Sequence, residues 1–229
     1  MEPRTKPPIF APMPCLPLLI QPENPQVVLW KWDKGAAWPL AKLESHFPER
    51  EWTEMSYGRL REHQAVACAL TELMGSEVWR VTHQDGKPQL HDAAGTRCPL
   101  SISHHSSQDH TTAAVAVWEA GERHHGIDLV DTKDRRISSI ASRFMSPIEQ
   151  MQWPKAKPWI WAAKEAMFKG HGPNLDFQSE LSVDSLEWEA ERGWLVGSVR
   201  GGVWQGECAL VPQSSLGVVW SSPSIQNLR

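Results

Sequence analysis

From residue 27 onward, apolar positions recur with the two periods that distinguish strands from helices. Residues 27–32 form an apolar run that predicts a strand. Residues 59–74 carry Ala65, Val66, Ala69, Leu70 and Leu73 at helical spacing and end at Gly75, which predicts an amphipathic helix with a C-terminal stop. Further strands are predicted at 77–82, 100–103 and 113–118. Gly121 and its polar neighbours read as a turn, followed by an apolar strand at 126–130 and a helix with a basic face at 134–144. Pro158 suits the first turn of a helix that runs through Lys169 to a stop at Gly170. Beyond it, short runs rich in Val, Leu and Trp at 181–188, 194–199, 203–210 and 216–220 are separated by turn residues such as Gly201 and Gly202, as in an antiparallel meander. The pattern is therefore α+β, a helix followed by strands in each half. No short repeat is visible, so the pattern alone does not make the halves alike.

Composition changes this picture at the start of the chain. Eight of the 18 prolines lie in the first 25 residues, a density that disfavours both helix and central strand and predicts an extended leader over 1–26. The rest is ordinary for a globular chain of 229 residues, at 41% hydrophobic and 22% charged. With 23 basic and 27 acidic residues the net charge is -4, which argues against a dedicated nucleic-acid binder. Cys15, Cys68, Cys98 and Cys208 form no C-x-x-C pair, and no basic segment with an apolar run opens the sequence, so a reducing, cytoplasmic setting is expected. The apolar stretch at 16–20 is far short of the roughly 20 residues of a membrane helix, and no membrane partner is expected.

Several residues can carry chemistry. Glu165 and Lys169 stand four apart and so project from one face of their helix, either as a solvated ion pair or as the edge of a site. Asp128 lies in the run Gly126-Ile127-Asp128, where a strand can fix a carboxylate while the following loop leaves it open to ligand. Asp128 and Glu165 together suit Mg²⁺, which takes one or two protein carboxylates and fills its other positions with water and substrate phosphates. Seven of the ten histidines fall between His83 and His125, but neighbours such as His104 and His105 point to opposite faces of a strand, and no Cys lies at zinc spacing. Ser101-Ile102-Ser103-His104 offers hydroxyls and an imidazole to a phosphate, or forms a plain Ser-rich turn. Gly86-Lys87-Pro88 reads as a turn with an exposed lysine.

Their order is more specific than any one of them. Gly86-Lys87-Pro88, Ser101-Ile102-Ser103-His104, Gly126-Ile127-Asp128 and Trp161-Ala162-Ala163-Lys164-Glu165-Ala166-Met167-Phe168-Lys169 together resemble the 4′-phosphopantetheinyl transferase superfamily. The last block matches the pattern W-x-x-K-E-A-x-x-K, and the resemblance spans about residues 59–188. It is most similar to the longer, surfactin-synthetase-activating type. That type implies a monomer of two similar α+β halves related by a pseudo-twofold, here 27–122 and 123–229, with the active site between them. The implied reaction moves the phosphopantetheine arm of coenzyme A onto a serine of an apo acyl or peptidyl carrier protein and releases adenosine 3′,5′-bisphosphate. By the same resemblance Asp128 and Glu165 would hold Mg²⁺, with Glu165 also accepting the serine proton, and Lys169 would steady the phosphates and leaving group. Lys87, Ser103 and His104 would meet the adenine and 3′-phosphate end, Arg59 (failing it, Arg61) would add a phosphate contact, and Lys164 would support the coenzyme site or its packing shell. Many relatives carry a second acid two residues past the first, where this chain has Val130. Asp131 follows but alternates to the other face.

Charge distribution then bears on the partner. Residues 132–170 carry eight basic residues against Asp134, Glu149 and Glu165, a local +5 within a chain otherwise at -9. Carrier proteins are acidic near their modified serine, so Arg135, Arg136 and Arg143 present either a docking face or a solvated helix face. Two other classes compete: a coenzyme A-binding homologue with impaired catalysis and a regulatory or binding role, and a histidine-based metal protein.

Overall fold

The computed structural model describes residues 26–33, 38–107, 110–118, 125–211 and 214–224. Within them a similar order, one strand, then helices, then four strands, is laid down twice. The first half runs β1 (Gln26–Asp33), α1 (Leu40–His46), α2 (Tyr57–Met74), β2 (Arg80–Gln84), β3 (Lys87–His91), β4 (Arg97–Ser106) and β5 (His110–Val117). The second runs β6 (Gly126–Asp131), α3 (Arg135–Ser139), a 3-10 turn (Ala141–Arg143), α4 (Pro147–Gln152), α5 (Lys157–His171), β7 (Leu181–Glu189), β8 (Arg192–Val199), β9 (Gly202–Leu210) and β10 (Leu216–Pro223). Each half forms a five-stranded antiparallel sheet, ordered β1-β5-β4-β3-β2 in one and β6-β10-β9-β8-β7 in the other. In both, the opening strand pairs with the closing strand of a four-stranded meander. The expected α+β fold of two similar halves is therefore what the chain adopts. All but the last residue of the expected leader at 1–26, and the expected turn around Gly121, lie outside the described residues.

Burial follows the two hydrophobic periods. In the first half Ala65, Val66, Ala69 and Leu70 of α2 pack on Leu90, Leu100 and Val115 of the sheet. In the second, Ile160, Ala163 and Met167 of α5 pack on Val130, Leu181, Val183 and Val219. A third cluster joins the halves: Val27, Leu29, Ala114 and Ala116 from the first sheet meet Ile127, Leu129 and Val218 from the second. The free edge of β6 would otherwise leave backbone donors buried without partners. Instead the amides of Ile127 and Leu129 donate to Ser101 Oγ and Ser103 Oγ of β4, each at 3.0 Å.

Local chemistry explains where the elements differ from the sequence expectation. The helix expected at 134–144 is broken. Asp134 caps α3 by accepting from the Arg136 amide, but Ser139 Oγ bonds back to the Arg136 carbonyl at 2.7 Å and Ile140 leaves helical geometry. α4 was not expected, although Ser146, Pro147 and Glu149 spell a capping box with proline in the first turn. α1 was likewise missed. The strand expected at 77–82 sits at Arg80–Gln84 and is followed by β3, which Pro88 concealed because proline argues against a ladder strand. Asp85 and Gly86 make the hairpin turn between them, both with positive φ (53° and 77°), a conformation Gly adopts without cost. Lys87 is thus the first residue of a strand rather than a turn lysine.

Candidate active site

The site forms where α5 crosses β6. A Cβ on Gly126 would stand 1.7 Å from the carbonyl oxygen of Ala166, so only glycine lets the helix lie this close to the strand. Asp128, two residues on, faces the helix from the same side of β6. Lys169 Nζ donates to Asp128 Oδ1 at 2.6 Å and to the Ile127 carbonyl at 3.1 Å. From the other half Ser103 Oγ also donates to Asp128 Oδ1, at 2.8 Å. Asp128 is only 6% exposed.

Glu165 lies one helical turn before Lys169 and is half-buried. Among the described residues no hydrogen bond or ion pair holds its carboxylate. Burial pushes its pKa up, the Asp128 charge pushes it further, and Lys169 opposes both. Two carboxylates that repel one another, one of them unpartnered, make a donor set suited to a hard divalent cation such as Mg²⁺. Val130 continues the same strand face but is 2% exposed and packed in the α5 core, so apolar contact replaces a second acid there. Asp131 is turned away, with Oδ1 accepting from the Lys133 amide at 2.9 Å and Ser215 Oγ at 2.7 Å. Among the described residues no three His, Cys, Asp or Glu side chains converge as a metal cluster.

A groove runs from this seam into the first half. One cleft of about 300 Å³ is lined by Lys87, Pro88, Ile102, Phe168 and Lys169. It shares Pro88 and Ile102 with a larger one of about 640 Å³ that carries Arg50, Arg59, His63 and His104. Arg59, Glu62, His63 and Val66 are spaced i, i+3, i+4 and i+7, so one face of α2 supplies this wall. Glu62 bonds Arg59 Nη1 at 3.1 Å and lies 3.4 Å from His104 Nδ1. Burial, then Arg50, His104 and Arg59, hold the His63 pKa down at about 4. Burial also lowers His104, against the Glu62 charge. The groove thus combines fixed cations with imidazoles that an entering anion would favour in charged form.

Not every residue expected at the site reaches it in the expected way. Ser103 and His104 alternate on β4: His104 lines the groove, while Ser103 is 6% exposed and spends its hydroxyl on Asp128 and the Leu129 amide. Lys87 lines the groove, yet its ammonium donates to the last carbonyls of α5, Gly170 at 2.7 Å and His171 at 3.1 Å, and burial lowers its pKa. Of the two arginines, Arg59 lines the groove and Arg61 is buried, donating to the Ser107 carbonyl. Of the two roles expected for Lys164, support of the coenzyme site or a place in the packing shell, its surroundings fit the second. It is 0% exposed, and its three ammonium protons go to the carbonyls of Phe144 and Phe177, each at 2.7 Å, and to Glu149 Oε2 at 2.8 Å. Burial lowers its pKa despite the Glu149 charge. Sequence reasoning missed Glu149, which also accepts from the Ser146 and Val183 amides, and missed Arg50 and His63. The helical spacing from Arg59 could have revealed His63.

Residues 125–206 fit the family model described as the 4′-phosphopantetheinyl transferase superfamily. No curated protein matches the chain.

Proposed function

With residues 125–206 a 4′-phosphopantetheinyl transferase superfamily domain, we propose that the protein transfers the phosphopantetheine arm of coenzyme A to a serine of an apo acyl or peptidyl carrier protein. The observation that carries this reading is the seam of Asp128, Glu165 and Lys169, in which an unpartnered carboxylate feels the charge of a second one beside a groove lined by Lys87 and Lys169. The two like halves fit the longer, surfactin-synthetase-activating type, which we propose acts as a cytoplasmic monomer. No described helix is long and apolar enough to cross a membrane.

Asp128 and Glu165 would hold Mg²⁺, which when bound neutralises charge on the pyrophosphate of coenzyme A. The chain's own groups do the rest. Arg59 and His104 bind the phosphate-rich end of the coenzyme in the groove, and Pro88 and Ile102 line the passage toward the seam. The carrier serine Oγ attacks the phosphorus next to the pantetheine. The pyrophosphate P–O bond breaks, and adenosine 3′,5′-bisphosphate leaves with the electron pair. Glu165 accepts the serine proton. Lys169, held against Asp128, places a positive charge beside the oxygen that gains negative charge.

The basic stretch supports an acidic partner. Arg135, Arg136 and Arg143 are all exposed, and Arg136 also forks onto Asp134, the N-cap of its own helix, at 2.8 Å. Incubating the protein with coenzyme A, Mg²⁺ and a panel of apo carriers tests the proposal: a mass gain of one phosphopantetheine arm on a carrier supports it. A homologue that binds coenzyme A without transfer, the reading favoured by Val130, predicts coenzyme binding and no mass gain on any carrier.

A further inference from the structure

We infer that Ser103 is a positioning residue for the cation site, fixing which oxygen of Asp128 is offered to the metal. This rests on the reading of Asp128 and Glu165 as the cation ligands. Ser103 Oγ accepts the Leu129 amide at 3.0 Å, and that contact leaves its proton to point at Asp128 Oδ1, 2.8 Å away. Lys169 Nζ reaches the same Oδ1 at 2.6 Å. Oδ1 therefore carries two donors and has no lone pair left for a cation. Oδ2 has no hydrogen bond among the described residues, so it is the oxygen left free to act as a ligand. The carboxylate cannot turn without breaking both bonds inside a site where Asp128 is 6% and Ser103 6% exposed.

The chain from the Leu129 amide through Ser103 to Asp128 crosses from one half to the other, so the first half sets the geometry of a ligand that belongs to the second. Partners of this kind orient a metal ligand, and their loss commonly weakens metal binding by about ten- to a hundredfold. Ser101 supplies a matched comparison. Its Oγ accepts the neighbouring edge amide, that of Ile127, at the same 3.0 Å and has no carboxylate partner among the described residues. Ser101→Ala and Ser103→Ala each orphan one buried β6 amide, but only the second removes one of the two donors on Asp128 Oδ1.

The experiment titrates Mn²⁺ into wild type, Ser101→Ala, Ser103→Ala and Ser103→Thr without coenzyme, reading the loss of free-ion electron paramagnetic resonance signal, with thermal unfolding recorded alongside. The expected result is a Kd raised about tenfold or more by Ser103→Ala, a wild-type Kd in Ser101→Ala, recovery toward wild type in Ser103→Thr, and similar melting shifts for the two alanine variants. Equal Kd values for wild type and Ser103→Ala, or equal weakening in both alanine variants, overturn the positioning role and leave the cation site standing. Wild-type protein that binds no Mn²⁺ overturns the cation site itself.

Discussion

Replacing Lys164 with methionine tests whether the lysine in the W-x-x-K-E-A-x-x-K pattern serves the coenzyme or the fold. The side chain is fully enclosed and donates to two carbonyls and to Glu149, whose carboxyl is 4% exposed. Methionine matches much of the length of the lysine and leaves Glu149 as an uncompensated charge, together with two carbonyls short of a donor. Removing one partner of a buried ion pair costs about 3–5 kcal/mol. In a chain of 229 residues each kcal/mol shifts the midpoint by about 2–4 °C, so Lys164→Met is expected to lower Tm by about 6–20 °C. Coenzyme affinity of the folded fraction, measured at low temperature by calorimetry, is expected to stay at the wild-type value. Adding Glu149→Gln removes the orphaned charge and is expected to recover part of the loss, so the two changes are non-additive. A Lys164→Met protein that melts like wild type but binds coenzyme A tenfold more weakly would refute the structural assignment and return Lys164 to the coenzyme site.

Other outcomes follow from the same geometry. Asp128→Ala and Glu165→Ala are each expected to abolish Mg²⁺-dependent transfer in a carrier-modification assay while far-ultraviolet circular dichroism is unchanged; retained transfer by either contradicts the ligand assignment. Arg59→Ala should raise the coenzyme KM by about tenfold, the scale of one charged hydrogen bond. Arg61→Ala should lower Tm instead, and a reversal of the two effects exchanges their roles. His63 holds its pKa at about 4 in the folded protein against 6.5 ordinarily, so the unfolded chain takes up a proton that the folded one refuses, and stability falls as pH drops from 6.5 toward 4. His63→Gln should flatten that slope in urea titrations across the window, and an unchanged slope denies His63 its part. Reversing Arg135 and Arg143 to Glu should weaken carrier binding and reduce its salt dependence, while coenzyme binding is retained.

The residues of the seam were legible because they sit in elements with strong patterns. Strand 126–130 and the helix ending near Gly170 both formed close to their expected bounds, so the i, i+4 spacing of Glu165 and Lys169 put both on the face that meets Asp128. What pattern could not supply was the partner of each polar group. The alternation that separates His104 from His105 equally separates Ser103 from His104, yet which face meets Asp128 depends on a contact between halves 25 residues apart in sequence. Lys164 carries the same charge as Lys169, and only the arrival of Glu149 and of the Phe144 and Phe177 carbonyls makes it a core residue. The likeness of the halves was hidden for a related reason. Strand order is a property of long-range pairing, and two chains of different sequence satisfy it with different side chains.

That shared order has a consequence for how such a chain can be assembled. Because the opening strand of each half lies beside its closing strand, a half begins and ends at neighbouring positions in its own sheet. A second copy can then be appended through a connection as short as residues 118–125 without threading through the first. The architecture is thus compatible with tandem duplication followed by division of labour. In the present chain one half carries the acids and the helix with the lysine, and the other supplies the wall that orients them.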